Sequence, residues 1–313
     1  MRIVFMGTPE FAVPSLLALH QAGHDLPLVV TQPDRPKGRG RKLACPPVKE
    51  AALRLGLPVA QPVKVKEAAF NAQLQEIRPD LIIVVAFGQI LPESILALPP
   101  FGCINVHASL LPAYRGAAPL HWVILNGEKE TGITTMLMDK GLDTGAMLLT
   151  EKIGIGPEMT YGALHDLAAQ KGSALLLETV DKWPKGLIKP VPQNSGQASY
   201  APPLKKEHEW ISWNADALTI YNQIRGLAPW PGAMTCYKGR PLKIRKAQIF
   251  PTNRQEASAG SVTAILRGKG FVVQAGQGSL LVQSVQPEGK NTMPSDSFIN
   301  GYRLEVGYAF TTA

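Results

Sequence analysis

Asn105 and His107 stand two residues apart in the otherwise apolar stretch 103–107. Because side chains alternate between the two faces of a β-strand, a strand here would project both polar groups from one face. An asparagine amide can donate a hydrogen bond to a developing oxyanion, and a histidine can give or take a proton near neutral pH. The pair is therefore a candidate centre for acyl-group chemistry.

A carboxylate for the same centre is available in the stretch Asp139-Lys140-Gly141-Leu142-Asp143-Thr144-Gly145. Its two glycines allow the tight turn that would aim the side chain of Asp143. Asn-x-His on a strand can be purely structural, and a third polar group on a turn favours a catalytic role. We therefore predict that Asn105, His107 and Asp143 act together.

The elements that position these residues have the pattern of an α/β domain. Two apolar runs at 2–7 and 26–31 flank a helix signal, in which Thr8 would be the N-cap and Pro9 the first helical residue. This β-α-β order predicts a parallel sheet covered by helices, with the ligand at the carboxyl ends of the strands. The continuous apolar run at 80–87 predicts a central strand buried on both faces. Further elements are expected as helices at about 46–55, 66–77, 114–126 (after Gly116) and 160–182, and as a strand pair at 133–138 and 147–155.

The composition changes between residues 183 and 204, where Pro, Gly, Ser, Gln and Asn dominate. We predict an α/β catalytic domain at 1–189, a linker at 190–206 and a second domain at 207–313. One helix at 214–227 and short strands separated by turns predict a small β-barrel of the OB kind, which often binds nucleic acid. The expected strands are 234–237, 241–248, 261–266, 270–274, 279–285 and 303–310.

The charge distribution favours an acidic partner. The chain has 32 Lys and Arg against 24 Asp and Glu, and residues 205–313 carry 13 of the basic and 7 of the acidic residues. The loop at 33–42 adds five cations against one anion, which fits either a solvated flexible loop or a mobile loop that grips phosphates. The five basic residues assigned to phosphate contacts with a nucleic acid are Arg35, Lys37, Arg39, Arg41 and Lys42.

Several common classes of protein are disfavoured. The turn at Gly7 lacks the G-x-G-x-x-G spacing, and Pro9 removes an N–H that a pyrophosphate would use, so nicotinamide binding is not expected. The glycines around Arg39 lack the spacing of a Walker A P-loop, so a kinase or NTPase is not expected. Three widely separated cysteines predict neither a disulfide framework nor a structural zinc. We expect a cytoplasmic protein without a leader peptide, a membrane span or a metal.

The motifs at 105–112 and 139–145 together resemble those of the formyltransferases that use 10-formyltetrahydrofolate. The segments 5–11, 31–36 and 86–92, followed by a second domain, extend this resemblance over nearly the whole chain. Ala108 stands where the related motifs often have Gly, a small change that should not alter the chemistry.

The resemblance implies a Rossmann-like formyltransferase domain with a parallel-rich sheet, followed by an OB-like barrel that binds tRNA. It implies that Asn105, His107 and Asp143 are the catalytic residues, and that 10-formyltetrahydrofolate is the formyl donor and co-substrate. The implied acceptor is the α-amino group of initiator methionyl-tRNA, formylated for translation initiation by a monomeric enzyme. The implied folate contacts are Ser109, Leu110, Leu111, Pro112, Phe87, Gln89, Ile90, Leu91 and Asp139.

Three alternatives share parts of this pattern. A formyltransferase acting on an amino sugar nucleotide, or a formyl-folate hydrolase, would carry the same catalytic motifs. A nucleic-acid-binding protein with an inactive α/β domain would carry the basic regions. The basic loop and the basic C-terminal third favour a tRNA acceptor, and the intact Asn-His-Asp set favours an enzyme.

Overall fold

The computed structural model describes residues 1–37, 42–251 and 257–312. It contains two compact units. The first comprises 1–119, 130–154 and 165–201, and the second comprises 120–129, 155–164 and 202–313.

A mixed seven-stranded sheet organises the first unit, in the order β5-β2-β1-β6-β7-β8-β9. The first five strands in this order are parallel, and β8 and β9 are antiparallel additions. A separate ladder joins β3 and β4. The strands are β1 (Arg2–Gly7), β2 (Asp25–Val30), β3 (Arg35–Lys37), β4 (Lys42–Ala44), β5 (Val59–Ala60), β6 (Leu81–Val85), β7 (Cys103–His107), β8 (Glu130–Leu137) and β9 (Met147–Gly154).

Helices follow the early strands in the predicted β-α-β order. They are α1 (Val13–Gln21), α2 (Pro47–Arg54), α3 (Ala68–Ile77), α4 (Glu93–Leu96), α5 (Pro119–Leu125) and α6 (Tyr161–Lys182). All five residues of β6 are buried, which confirms the expected central strand. Its neighbour β7 is buried throughout as well.

The first turn of the chain differs from its prediction. Thr8 is not an N-cap, because its hydroxyl donates to the carbonyl of Phe87 at 2.9 Å. A short 3-10 turn begins at Glu10 with Pro9 as its cap, and α1 follows from Val13. The Thr8 hydroxyl therefore connects the end of β1 to the loop after β6 instead of starting a helix.

The helix predicted within 114–126, after Gly116, is present and begins at Pro119. Tyr114 and Gly116 have φ angles of 60° and 118°, which a right-handed helix cannot accommodate. A Cβ on Gly116 would also lie 2.8 Å from the carbonyl oxygen of Ala201. Residues 114–118 therefore form an irregular loop against the segment that ends at Ala201.

The segment at 190–201 is hydrogen-bonded to the rest of the first unit. Val191 exchanges two backbone hydrogen bonds with Met147, at 2.9 and 2.8 Å. Arg115 donates its N–H to Ser199 and accepts from Ala201, at 2.8 and 2.7 Å. This proline-rich stretch therefore packs beside the loops after β7 and β8.

The second unit is built on an antiparallel sheet in the order β10-β11-β14-β13-β12, with β15 paired to β14. Its apolar core is formed by inward residues of the strands and by α7 and α8. The elements are α7 (Ala217–Gly226), β10 (Ala233–Tyr237), β11 (Arg240–Phe250), β12 (Val262–Leu266), β13 (Gly270–Gln274), β14 (Ser279–Pro287), β15 (Met293–Pro294) and α8 (Ser295–Tyr302).

The C-terminal segment joins the two edges of this sheet. Thr311 pairs with Cys236 of β10, and Ala309 pairs with Ser261 beside β12. The strand predicted at 303–310 is nevertheless wrong, since Arg303 and Gly307 have φ angles of 55° and 91° that interrupt an extended chain. The preceding helix α8 was not predicted.

None of the helices within the described parts of the chain combines the length and the apolar content needed to span a bilayer.

Candidate active site

Strand β7 carries Asn105 and His107 on one face in the middle of the sheet. Asn105 pairs with Val84 of β6 on one side and with Met136 of β8 on the other. The two polar side chains are 9% and 6% exposed. Because both neighbouring strands lock the register of β7, the two groups cannot exchange faces without breaking the sheet.

The side-chain amide of Asn105 has no hydrogen-bond partner among the residues that the structure describes. The amide atoms are not among the fully buried side-chain atoms that lack a hydrogen bond, so they keep some access to solvent. An amide that is free of contacts to the described residues and reachable from solvent can donate to a bound ligand.

The imidazole of His107 is held at Nε2 by the main chain. Nε2 lies 3.0 Å from the carbonyl oxygen of Tyr114, and a carbonyl can only accept, so Nε2 carries a hydrogen. Nδ1 lies 3.6 Å from Oδ2 of Asp143. Nδ1 is therefore the nitrogen that can exchange a proton in a reaction.

Asp143 reaches His107 from an unexpected direction. Because β8 is antiparallel to β7, Leu137 lies opposite Ile104, and the turn after β8 leaves the sheet at the end of β7 remote from His107. The 3.6 Å approach of Asp143 means that the loop at 138–146 folds back over the sheet face that carries the two polar residues. The site thus lies over a face of the sheet as well as at a strand end.

Local hydrogen bonds shape this loop. One carboxylate oxygen of Asp139 accepts from the N–H of Gly141 and the hydroxyl of Thr144, at 2.9 and 2.6 Å. Oδ2 of Asp143 accepts from the N–H of Gly116 at 2.8 Å. Its other oxygen, Oδ1, has no hydrogen bond within residues 1–37, 42–251 and 257–312 and can accept from a substrate.

The chain after His107 is fixed by two hydroxyl groups. Thr134 of β8 donates to the carbonyl of Ser109 and accepts from the N–H of Leu111, at 2.7 and 3.2 Å. Ser109, which is fully buried, donates to the carbonyl of Ala113 at 2.6 Å. The proposed folate segment 109–112 is therefore anchored on the sheet through Thr134, a residue that the motif alone did not single out.

The loop after β6 is anchored differently. The carbonyl of Phe87 accepts from Thr8 and from the amide of Gln32, at 2.9 and 3.3 Å. The side chain of Gln89 binds the backbone at 62–65 through three hydrogen bonds, the shortest being 2.9 Å from the N–H of Val65. Leu91 is buried, whereas Ile90 is 80% exposed. Ile90 is thus the apolar side chain of this loop that a ligand can touch.

Three groups that bind the predicted catalytic residues His107 and Asp143 were not predicted from the sequence. They are the carbonyl of Tyr114, the N–H of Gly116 and the side chain of Gln193, which donates to the carbonyls of Asp143 and Gly145 at 2.8 Å each. Main-chain contacts leave no signature in a residue type. Gln193 stood in a stretch whose composition indicated only a linker.

The basic loop is partly described. Arg35 lies on β3 and donates to the side chain of Gln32 at 3.4 Å. The backbones of Lys37 and Lys42 form the last pair of the β3–β4 ladder. Arg39 and Arg41 lie outside the described residues.

Asp34, the single acidic residue of this loop, is neutralised by its neighbours. Its carboxylate lies 2.7 Å from the ammonium of Lys49 and 2.7 Å from the amide of Gln61. The hydrogen bond from Lys49 is the main cause of its lowered pKa.

A cysteine nucleophile is not available on β7. Burial raises the pKa of the Cys103 thiol to about 12, so the reactive thiolate is scarce at neutral pH. No group of three His, Cys, Asp or Glu residues within the described chain is arranged to hold a metal ion.

Comparison with known families decides the assignment. The formyl transferase family matches residues 1–180, and the C-terminal domain of formyl transferases matches residues 203–303. The chain belongs to the formyl transferase family.

Two relatives of high sequence similarity have the same name. Proteins named methionyl-tRNA formyltransferase from Pelotomaculum thermopropionicum and Moorella thermoacetica are 52% and 53% identical over 307 residues. The alignments cover 98% of this chain and 97% and 98% of those proteins.

Solved structures of much lower sequence identity share the fold. HypX from Aquifex aeolicus in complex with tetrahydrofolic acid matches with a TM-score of 0.67 at 17% identity, over 98% of this chain and 48% of that one. An N-formyltransferase from Helicobacter canadensis in complex with folinic acid and dTDP-3-aminofucose also matches with a TM-score of 0.67. It is 19% identical, over 90% of this chain and 99% of that one. The predicted α/β domain followed by a β-rich domain is thereby confirmed.

Proposed function

We propose that the protein transfers the formyl group of 10-formyltetrahydrofolate to the α-amino group of initiator methionyl-tRNA. The observation that carries the proposal is the Asn105 amide, which makes no hydrogen bond to the described residues and lies on the face that also presents His107 and Asp143. Relatives of about the same length that are named methionyl-tRNA formyltransferase support the choice of acceptor.

The chemistry follows from the positions of these three groups. The neutral amine attacks the formyl carbon, a C–N bond forms, and the carbonyl electrons move onto oxygen. The amide of Asn105 donates to that oxyanion, which is a role for a preorganised neutral donor. The intermediate collapses when the bond from the formyl carbon to the folate nitrogen breaks.

The proton released by the amine must reach the folate nitrogen. Since Nε2 of His107 is engaged by Tyr114, the proton passes through Nδ1 or through a water between Nδ1 and Oδ1 of Asp143. Asp143 also stabilises the imidazolium when it forms. The main-chain contact at Nε2, rather than Asp143 alone, orients the ring.

The folate would lie between the loops that follow β6 and β8. Apolar surface for its rings is offered by Ile90 and Leu142, which are 80% and 57% exposed. The anchored segment 109–112 supplies backbone groups nearby, as do the turn at Asp139 and the loop at 87–91. We assign the folate contacts to these segments.

The basic loop and the basic second domain would hold the tRNA. Arg35, Lys37, Arg39, Arg41 and Lys42 contribute cations at the loop, and residues 205–313 carry 13 basic against 7 acidic residues. Phosphate contacts of this kind supply affinity and its dependence on salt. A translation enzyme of this kind would act in the cytoplasm, and we propose that it acts as a monomer.

A formyl-transfer assay tests the proposal. Purified protein is given 10-formyltetrahydrofolate with initiator Met-tRNA, elongator Met-tRNA, a dTDP-amino sugar, or no acceptor. Formylation of the initiator Met-tRNA in preference to the other acceptors is the expected result. Faster formylation of the amino sugar, or folate deformylation without an acceptor, would establish one of the rival functions instead.

A further inference from the structure

The side chain of Gln193 connects two loops of the active site. Its Nε2 donates to the carbonyls of Asp143 and Gly145 at 2.8 Å each, and its Oε1 accepts from Nε and Nη2 of Arg115 at 3.0 and 2.6 Å. Both ends of one amide are thus fully used. Asp143 and Arg115 belong to different loops, separated by 28 positions in the chain, so the amide ties those loops together.

Arg115 is an unusual partner for such a contact. It is 3% exposed, and no carboxylate pairs with it in the described part of the chain. Its two hydrogen bonds to the neutral oxygen of Gln193 are the contacts that offset the cost of burying the guanidinium. Because a buried charge is an expensive way to add stability, the arrangement points to a geometric role.

The backbone beside Arg115 holds the catalytic pair directly. The carbonyl of Tyr114 binds Nε2 of His107, and the N–H of Gly116 binds Oδ2 of Asp143. The segment after Gln193 holds this backbone in turn, since the hydroxyl of Ser199 accepts from the N–H of Tyr114 at 2.9 Å. Gln193 and Ser199 therefore support the backbone that binds His107 and Asp143.

Backbone strain supplies a second argument. Tyr114 and Asp143 both have positive φ angles, 60° and 53°, in the region that favours glycine. Such conformations are energetically unfavourable and persist only where the surroundings enforce them. The Gln193 amide binds the carbonyl of Asp143 itself and binds the guanidinium of the residue that follows Tyr114.

We propose that Gln193 is a positioning residue, which holds the Asp143 loop over His107 through its bonds to Arg115 and to the carbonyls of Asp143 and Gly145. The proposal rests on the proposed formyl transfer for its kinetic consequence. It extends that function to a residue of the proline-rich segment at 190–201.

Two substitutions at Gln193 test separately the bonds donated by its N–H groups and the bonds accepted by its oxygen. Gln193→Glu keeps the shape and the contact to Arg115, but replaces the N–H donors with an oxygen that repels the two carbonyls. Gln193→Met removes both sets of bonds. Gln197→Glu is the matched control, because Gln197 is exposed in the same segment. Each protein is assayed for kcat and for KM toward both substrates, with the folded fraction measured by circular dichroism.

We expect Gln193→Glu and Gln193→Met to lower kcat by about 10- to 100-fold, the loss that a displacement near 1 Å causes, with each KM within about 3-fold of the parent value. Gln197→Glu should match the parent protein. A Gln193 variant that melts earlier yet retains its kcat per folded molecule would show a merely structural role and overturn the proposal.

A readout without substrates separates this proposal from the proposed function. The imidazole ¹⁵N shifts of His107, recorded for the full-length protein and for Asp143→Asn, report the contact at Nδ1. Gln193→Glu should move these shifts in the same direction as Asp143→Asn, and Gln197→Glu should leave them in place. If the parent protein formylates no Met-tRNA, the proposed function fails while the shifts still decide the role of Gln193. Unchanged shifts in both Gln193 variants overturn it.

Discussion

Asn105 illustrates how a single side chain can mark a site. The Asn105 amide makes no hydrogen bond to the described residues and keeps some access to solvent, so a ligand can bind it without breaking a contact within the protein. Its neighbour His107 is satisfied at Nε2 and leaves Nδ1 for chemistry. The Asn105 amide is thus available to a ligand, whereas the His107 ring is held by the main chain at Nε2.

Asn105→Ala should lower kcat by roughly 10²-fold or more, because the oxyanion loses a preorganised donor, with little change in the affinity for Met-tRNA. Steady-state kinetics on initiator Met-tRNA measures the effect. Asn300→Ala, on the exposed face of α8, is the control. Near-normal turnover in the Asn105 variant would remove Asn105 from the reaction.

At the scale of elements, the loop between β8 and β9 depends on close backbone contacts. A Cβ on Gly145 would lie 1.7 Å from the carbonyl oxygen of Leu137, and one on Gly141 would lie 2.0 Å from the hydroxyl of Thr144. A main-chain carbonyl in a strand cannot move away as a side chain can. The loop therefore requires glycine at 145 in order to fold back toward His107.

Gly145→Ala tests this requirement. We expect a loss of about 1–3 kcal/mol in the free energy of unfolding, the usual cost of overpacking, together with a lower kcat because Asp143 is displaced. Denaturant unfolding and the transfer assay give the two values. Gly154→Ala is the matched control, since a Cβ there would meet no atom within 4 Å. Equal stability of the two variants would contradict the close approach.

Helix α7 offers a pH-dependent cap. The Asp216 carboxylate accepts from the hydroxyl and the N–H of Thr219, at 2.6 and 2.9 Å. The hydroxyl bond is the main cause of its lowered pKa. Because the pKa of Asp216 is lower in the folded state, its charge stabilises the fold at pH values above the ordinary pKa of an aspartate. This stabilisation is lost as the pH falls through the folded-state pKa.

Asp216→Ala should therefore cost about 1 kcal/mol at pH 7, and the cost should shrink below about pH 4. Asp216→Asn is the control, because asparagine also caps helices but does not titrate. Denaturant unfolding of the three proteins between pH 7 and pH 3 measures the difference. A cost that stays constant over this range would exclude the charged cap.

At the scale of the whole molecule, the net charge of +8 is concentrated in the C-terminal third and in the loop at 33–42. Such a field attracts a polyanion over distances comparable with the Debye length and increases its rate of encounter. A small acceptor would gain little from it. The charge distribution is therefore the global feature that agrees with a tRNA.

Replacing both Arg39 and Arg41 with Ala should raise KM for Met-tRNA and reduce the magnitude of its salt slope by about 1–2, because fewer counterions are released on binding. KM for the folate should not change. Kinetics at several salt concentrations measures the slope, and a double variant at Arg54 and Lys66, two exposed cations of the first unit, is the control. An unchanged slope would show that the loop contacts no phosphates.

Several predicted elements were confirmed because local periodicity determines them. The apolar run around β6 and the alternation of β7 each specify a strand through burial. Periodicity gave a wrong strand at 303–310. Leu304 and Phe310 are buried there, but positive φ angles at Arg303 and Gly307 interrupt the extended backbone. Periodicity also missed α8, whose Ser, Asp, Asn and Gly residues have low helix propensity and which is stabilised by packing around Phe298.

The sequence by itself determined that Asn105 and His107 share a face, because the two-residue repeat of a strand is a local property. It also pointed to Asp143 through the glycines that frame its turn. Only the tertiary structure decided that the loop carrying Asp143 folds back over that face. It also decided that Tyr114 binds His107 and that Gln193 binds the backbone of Asp143. These contacts join residues up to 50 positions apart, as Gln193 and Asp143 are, and several use main-chain atoms. Pairing across such distances depends on how the whole chain packs, and no local pattern of residue types encodes it.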